Sequence, residues 1–166
     1  MFLIAVTPVL SNAQSTEIRI DSLSSLLGKD VGQVSILLAP LNWKLLNSNR
    51  VTKGDKVERT FVFGYSLNIT QKTPKAGSWL DIVTLNGYVS DIKYQFYSGD
   101  DYSNVINQLK EMGAKQIGTT IINRGIRVDF MTSTCIYNLI SATAINSKPF
   151  ASYYLEIQNS DTYFKR

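Results

Sequence analysis

The sequence predicts an α+β fold in which two tandem helix-plus-four-strand units build one antiparallel sheet with helices packed on one face. Three observations carry this expectation. Apolar residues recur at helical spacing ahead of each run of strands, in DSLSSLLGKDVGQVSILLAP (Asp21–Pro40) and in GDDYSNVINQLKEMG (Gly99–Gly113). After each, the period changes to two, the mark of strands with one buried face. The stretch GAKQIGTTIINRGIRVDFMTS (Gly113–Ser133) also echoes LNWKLLNSNRVTKGDKVERTFVFGYS (Leu41–Ser66). In both, a helical segment ends, a Lys-bearing strand begins, a polar basic turn interrupts, and an alternating strand resumes.

Each element has a local reason. Leu23, Leu26, Leu27, Val31, Val34, Leu37 and Leu38 keep helical spacing, Gly28 divides them into two short helices, and Pro40 ends the second. Asp21 and Asp30 are residues of the kind that cap helix amino ends. Phe61, Phe63, Tyr65 and Leu67 then alternate with Thr60, Val62, Gly64 and Ser66 as a strand. Trp79–Leu85 and Val89–Ser98 form a hairpin around Asn86-Gly87, the dipeptide most typical of a tight turn. On the second of these strands Ile92, Tyr94 and Phe96 point one way, and Lys93, Gln95 and Tyr97 the other. Tyr102, Val105, Ile106, Leu109 and Met112 form one helical stripe, with Asp100 and Asp101 at its amino end and Gly113 at its carboxyl end. Strands follow at Lys115–Ile122, Ile126–Thr132, Cys135–Ala144 and Ser152–Gln158. The pairing of ERTFVFGYS with GIRVDFMTS and of SDIKYQFYS with SYYLEIQNS places the units at 16–98 and 99–160, in one domain spanning 14–166.

Composition narrows the function. A chain of 166 residues with 44% apolar and 18% charged residues lies outside the regime of disorder. No run reaches the roughly 18 apolar residues that cross a bilayer, so the expected chain does not span a membrane. MFLIAVTPVLSNAQS is apolar up to Leu10 and presents Ser11-Asn12-Ala13 before Gln14, which reads as the remnant of an export signal over residues 1–13, although no Lys or Arg precedes Arg19. The expected location is therefore the periplasm, the cell envelope or the secreted space.

The chain has no histidine and one cysteine, which excludes a Ser-His-Asp triad, a Cys-His pair, a His-built zinc site and an internal disulfide. Cys135, in TCIYNLI, reads as a buried strand thiol. No phosphate-binding glycine loop, paired CxxC or Gly-x-Ser-x-Gly is present, and no cofactor is implied. Two carboxylates suffice for a glycosidase, so Asp81, Asp91, Asp129 and Glu156 keep a hydrolase open as an alternative; their strand positions read first as a solvated face.

Charge points to a partner. Lys44, Arg50, Lys53, Lys56, Arg59, Lys72 and Lys75 face only Asp55 and Glu58 between Asn42 and Ser78, so the basicity of a chain of net charge +4 sits in this region, in loops flanking the second strand. Tyr97 and Tyr154 fall on the same strand parity as Lys93, Gln95, Arg127 and Glu156, a polar and aromatic face if those strands are neighbours. The candidate contact residues are thus Lys53, Lys56, Lys72, Lys75, Lys93, Tyr97, Arg127 and Tyr154. The partner expected is a protein or an acidic envelope surface rather than nucleic acid. A carrier of a small hydrophobic ligand or lipid, held between sheet and helices, is the alternative.

LLGKDVGQVSILLAP resembles the opening helices of the β-lactamase-inhibitor-protein-like fold, which is shared with small outer-membrane-assembly lipoproteins. Gly28, Asp30, Val34, Leu38 and Pro40 occupy that pattern's places, while Ala39 stands where it has Gly, and the second unit lacks the motif. The resemblance implies an envelope or secreted protein that binds other proteins through an open sheet face and its loops without catalysing a reaction. The inhibitor's disulfides have no counterpart, since Cys135 is alone.

Overall fold

The computed structural model of the chain describes residues 18–65, 76–123, 125–142 and 152–163. The export-signal reading of residues 1–13 lies outside them, as do Lys72, Lys75 and the side chain of Lys53.

Ile20–Ser24 (α1) and Val31–Leu38 (α2) open the chain. Gly28, at φ +77°, separates them in the left-handed region where glycine is favoured. Asp30 caps α2, its Oδ1 accepting from Gly32 N at 2.8 Å and Gln33 N at 3.2 Å. Asp21 does not cap. It lies inside the first turn of α1, behind Arg19, and its carboxylate takes the Arg19 guanidinium at 3.2 Å instead. A 3-10 turn over Ala39–Leu41, with Pro40 in its first turn, leads into the sheet.

The strands are Lys44–Lys53 (β1), Lys56–Tyr65 (β2), Ser78–Leu85 (β3) and Tyr88–Phe96 (β4), then Lys115–Ile122 (β5), Gly125–Met131 (β6), Cys135–Ala142 (β7) and Ser152–Asn159 (β8). Gly99–Glu111 (α3) stands between β4 and β5, and Ser160–Tyr163 (α4) follows β8. The eight strands form one sheet in the order β1-β2-β3-β4-β8-β7-β6-β5, each neighbour antiparallel. The first four strands meander inward from one edge. Helix α3 then carries the chain to the far edge, and the last four meander back until β8 pairs with β4.

Asn86 and Gly87 have φ of 53° and 94°, the left-handed pair that a two-residue hairpin requires. Asn86 does more than turn the chain. Its N–H donates to Val57 O at 2.8 Å, and its Oδ1 accepts from Val57 N at 3.0 Å, which ties the β3–β4 turn to β2. Ser98 caps α3 through Asp100 N and Asp101 N, and Gly113 at φ +72° ends that helix.

One apolar core lies between the sheet and the helices. Ile92, Tyr94 and Phe96 of β4, Leu80 and Ile82 of β3, and Leu155 and Ile157 of β8 face Leu23, Val34, Leu38, Val105 and Leu109 of the helices. Cys135 is buried in the same cluster. Polar contacts set the helices in place: Ile20 N donates to Gln108 Oε1 at 2.9 Å, joining α1 to α3, and the Ser24 and Tyr137 hydroxyls meet at 3.1 Å, joining α1 to β7. Among the described residues no helix is long and apolar enough to cross a membrane.

The basic residues expected in loops are instead on strands. Lys44, Arg50, Lys53, Lys56 and Arg59 belong to the β1–β2 hairpin, whose turn is only Gly54-Asp55. The reason is register: with Lys53 paired to Lys56, the polar and charged residues of this edge hairpin remain in the ladder, and Lys44, Arg50, Lys56 and Arg59 keep their side chains exposed.

Candidate functional site

In an antiparallel ladder, directly opposed residues project from the same face. The registers of β2, β3, β4, β8, β7 and β6 therefore place Val62, Asp81, Lys93, Glu156, Asn138 and Asp129 in one row across the face opposite the helices. The next row on that face runs Gly64, Trp79, Gln95, Tyr154, Ile140 and Arg127. Trp79, Asp81, Lys93, Gln95, Tyr154 and Glu156 enclose a depression of about 240 Å³ over β3, β4 and β8.

Contacts within the face are specific. Lys93 Nζ lies 3.3 Å from Glu156 Oε1. Gln95 Nε2 donates to the Tyr154 hydroxyl at 3.2 Å. Arg127 grips Asp129 with Nε 2.9 Å from Oδ1 and Nη2 donating to Oδ2 at 3.3 Å; the first is a charge contact outside hydrogen-bonding geometry. Tyr97 is the residue after β4, and the Trp79 side chain acts to lower the pKa of its hydroxyl. Burial, with a smaller contribution from Tyr154, still pushes its hydroxyl above the usual tyrosine range.

Burial also pushes the Asp81 carboxyl up, and the charge of Lys93 opposes this only in part. The cause lies in the row: Lys93 stands between Asp81 and Glu156, and its ammonium is committed to Glu156. An acid whose folded pKa is raised contributes its full stability below the unfolded carboxylate value, about 3.9, and loses it as pH rises through the folded value. Asp81→Asn is thus expected to raise the urea midpoint at neutral pH and to leave it unchanged below about pH 3.5. An equal shift at both pH values would assign the effect to packing and remove the ionised carboxylate as its cause.

Lys93, Tyr97, Arg127 and Tyr154 thus share one face, Arg127 standing two strands from Tyr154 across β7. Lys56 does not join them. It lies at the tip of the β1–β2 hairpin, eight residues along β2 from the Gly64–Trp79 pair, roughly 27 Å at the rise of a strand. Lys53 sits opposite Lys56 at the same tip, and Lys72 and Lys75 fall in the β2–β3 connection outside the described residues.

The four acids share this face as well, but Asp129 is not solvated: it is 8% exposed, clamped by Arg127 and flanked by Asn138, itself 4% exposed. The backbones of Asp81 and Glu156 lie two strands apart, roughly 10 Å at ordinary strand spacing, with Lys93 between them. Trp79 is the central residue that the sequence-based contact set misses. Its signal was its parity, a tryptophan in step with Asp81 on the polar side of a strand whose apolar side is Leu80 and Ile82.

Fold and face together define an α+β protein whose eight-stranded antiparallel sheet is covered by helices on one side and presents a polar, aromatic surface on the other. No family model, no curated protein and no solved structure matches the chain.

Proposed function

We propose that this is an exported, non-catalytic binding protein of the cell envelope or secreted space, built from two tandem helix-plus-four-strand units, which grips a protein partner on its open sheet face. The observation that carries the reading is the Trp79–Gln95–Tyr154 row with Tyr97 beside it. Three aromatic side chains, Trp79, Tyr97 and Tyr154, stand partly exposed near the centre of the sheet, on the face opposite the apolar core. Tryptophan and tyrosine dominate binding energy because they bring large apolar area with a polar handle and little conformational freedom to lose.

Around them Asp81, Lys93, Glu156, Arg127 and Asp129 supply charges of both signs, a pattern that selects partners by complementarity. Lys53 and Lys56, at the tip of the β1–β2 hairpin, act at a distance from this row, and together with Lys72 and Lys75 they steer an acidic partner or envelope surface toward the molecule. The two-unit reading gains support from the sheet order, in which each edge-to-centre meander has four strands. The Gly28–Pro40 likeness to the β-lactamase-inhibitor-protein-like fold fits the same mode of action.

The test is capture from envelope and extracellular fractions on the immobilised chain, beside a Trp79→Ala/Tyr154→Ala variant whose far-ultraviolet circular dichroism is unchanged. A protein retained by the native chain should lose at least about 30-fold in affinity for the variant, the factor that corresponds to a central binding residue. Equal retention by both chains would remove the open face from the function.

A further inference from the structure

We infer that the opposite, helix-bearing side of the sheet carries a second site, a groove for a small amphipathic anion whose phosphate group is held by Arg50 and Arg59. The two arginines are directly opposed in the β1–β2 ladder, and Arg59 is opposed in turn by Thr84 of β3. Thr84 is 1% exposed and opposes the core residue Val89, so this row projects on the helix side. There the chain encloses a groove of about 470 Å³ in which Arg50 and Arg59 stand over Val31, Val57, Phe61 and Thr84.

Two features separate this groove from an ordinary basic edge. First, like charges directly opposite each other on paired strands are destabilising, and neither guanidinium has an ion pair with any described residue. The nearby Asp30 carboxylate is engaged at the start of α2, where Oδ1 accepts from two backbone N–H groups. A dianionic phosphate monoester would balance both cations, and the planar guanidinium fork suits its oxygens.

Second, the groove has an apolar floor and a braced wall. Val31, Val57 and Phe61 offer hydrocarbon surface, and the Asn86-Gly87 turn beside them is locked to β2 by the reciprocal Asn86–Val57 hydrogen bonds at 2.8 and 3.0 Å. A free phosphate would leave that floor unused. A phosphate on an alkyl or other apolar body uses both parts, and the apolar body fits a groove already shaped. The site lies on the other side of the sheet from the Trp79–Tyr154 row, so its success or failure is independent of the binding function proposed above.

The test is calorimetric titration of the intact chain with hexyl phosphate below its micellar concentration, with inorganic phosphate, and with vesicles containing phosphatidic acid. Hexyl phosphate should bind at least about tenfold more tightly than inorganic phosphate, the gain expected from burying about two methylene groups. The Arg50→Gln/Arg59→Gln variant should lose at least tenfold of the hexyl phosphate affinity, whereas Lys110→Gln, which removes an exposed cation of α3 outside the groove, should not change it. Vesicle binding in addition to hexyl phosphate binding assigns the phosphate to a lipid headgroup, and hexyl phosphate binding alone assigns it to a soluble ligand. Equal affinity for the two phosphates, vesicle binding without hexyl phosphate binding, or an unchanged affinity in the double variant would each overturn the proposal. Thermal unfolding of the variant without ligand is a second readout: relief of the opposed charges should leave its Tm equal to or above that of the native chain.

Discussion

Phe96→Ala is expected to destabilise the protein by about 3–5 kcal/mol, the range for removing a phenylalanine from a closed core. Phe96 is wholly buried on β4, the strand at which the two meanders join. Its ring packs on Tyr94 at 5.1 Å between centroids and stacks on Tyr153 of β8 at 5.6 Å with an interplanar angle of 15°. The chain of rings continues from Tyr153 to Tyr102 of α3 at 4.9 Å, and from Tyr94 to Trp43 at 6.2 Å. Alanine would therefore leave a void bounded by rings whose positions are set by two strands and a helix, and such a site collapses poorly. Against a total stability of about 5–15 kcal/mol, this is a large fraction. Urea unfolding is the measurement, with the midpoint lowered and the slope unchanged. A loss below about 1 kcal/mol would mean that Tyr94 and Tyr153 close the gap, and that this junction is softer than its ring geometry implies.

The same junction explains what was legible in the sequence and what was not. Local pattern was enough for α3, whose stripe and caps agree, and for the β3–β4 hairpin, whose Asn-Gly turn and alternation agree. It was also enough for which side each residue of β4 faces, since parity depends only on the pleat. The pairing of β4 with β8 was beyond it. Residues about 60 positions apart become neighbours through the return of a whole meander, and nothing local in DIKYQFYS names ASYYLEIQ as its partner. The open face could therefore be written only as a condition on strand adjacency, and it is the β4–β8 register that brings Gln95 to Tyr154 and Lys93 to Glu156.

Where the sequence misled, the cause lay in neighbours and positions that alternation and residue type alone do not encode. Alternation made Asp129 a solvated acid, but it is buried, clamped by Arg127 two residues away and opposed across the ladder by the buried Asn138. Charge density made the basic residues around the second strand look like loop residues, because Lys is a weak strand former; pairing of β2 to β1 and β3 and solvent on the edge overrode that preference. Asp21 carried a capping identity without a capping position, since α1 begins one residue before it.

Gly125→Ala is the second large effect, about 3 kcal/mol, the upper part of the range for a side chain that forces backbone to move. Gly125 begins β6 opposite Ala142 of β7. A Cβ there would stand 1.9 Å from Ser141 O, 2.9 Å from Ser141 C and 3.1 Å from Ala142 Cα, all backbone atoms that cannot rotate aside. The accommodation is separation of the strand ends, which breaks the Gly125–Ala142 and Ile126–Ser141 pairs first. Arg127 and Asp129 follow on the same strand, so the opening travels along β6 toward the Arg127–Asp129 clamp. Amide hydrogen exchange separates this from global unfolding: protection should fall at residues 125–129 and 138–142 before it falls in β3 and β4. A uniform loss of protection over the whole sheet would instead show that the β6–β7 end opens only with the entire fold, and would make the Arg127–Asp129 clamp part of the cooperative core.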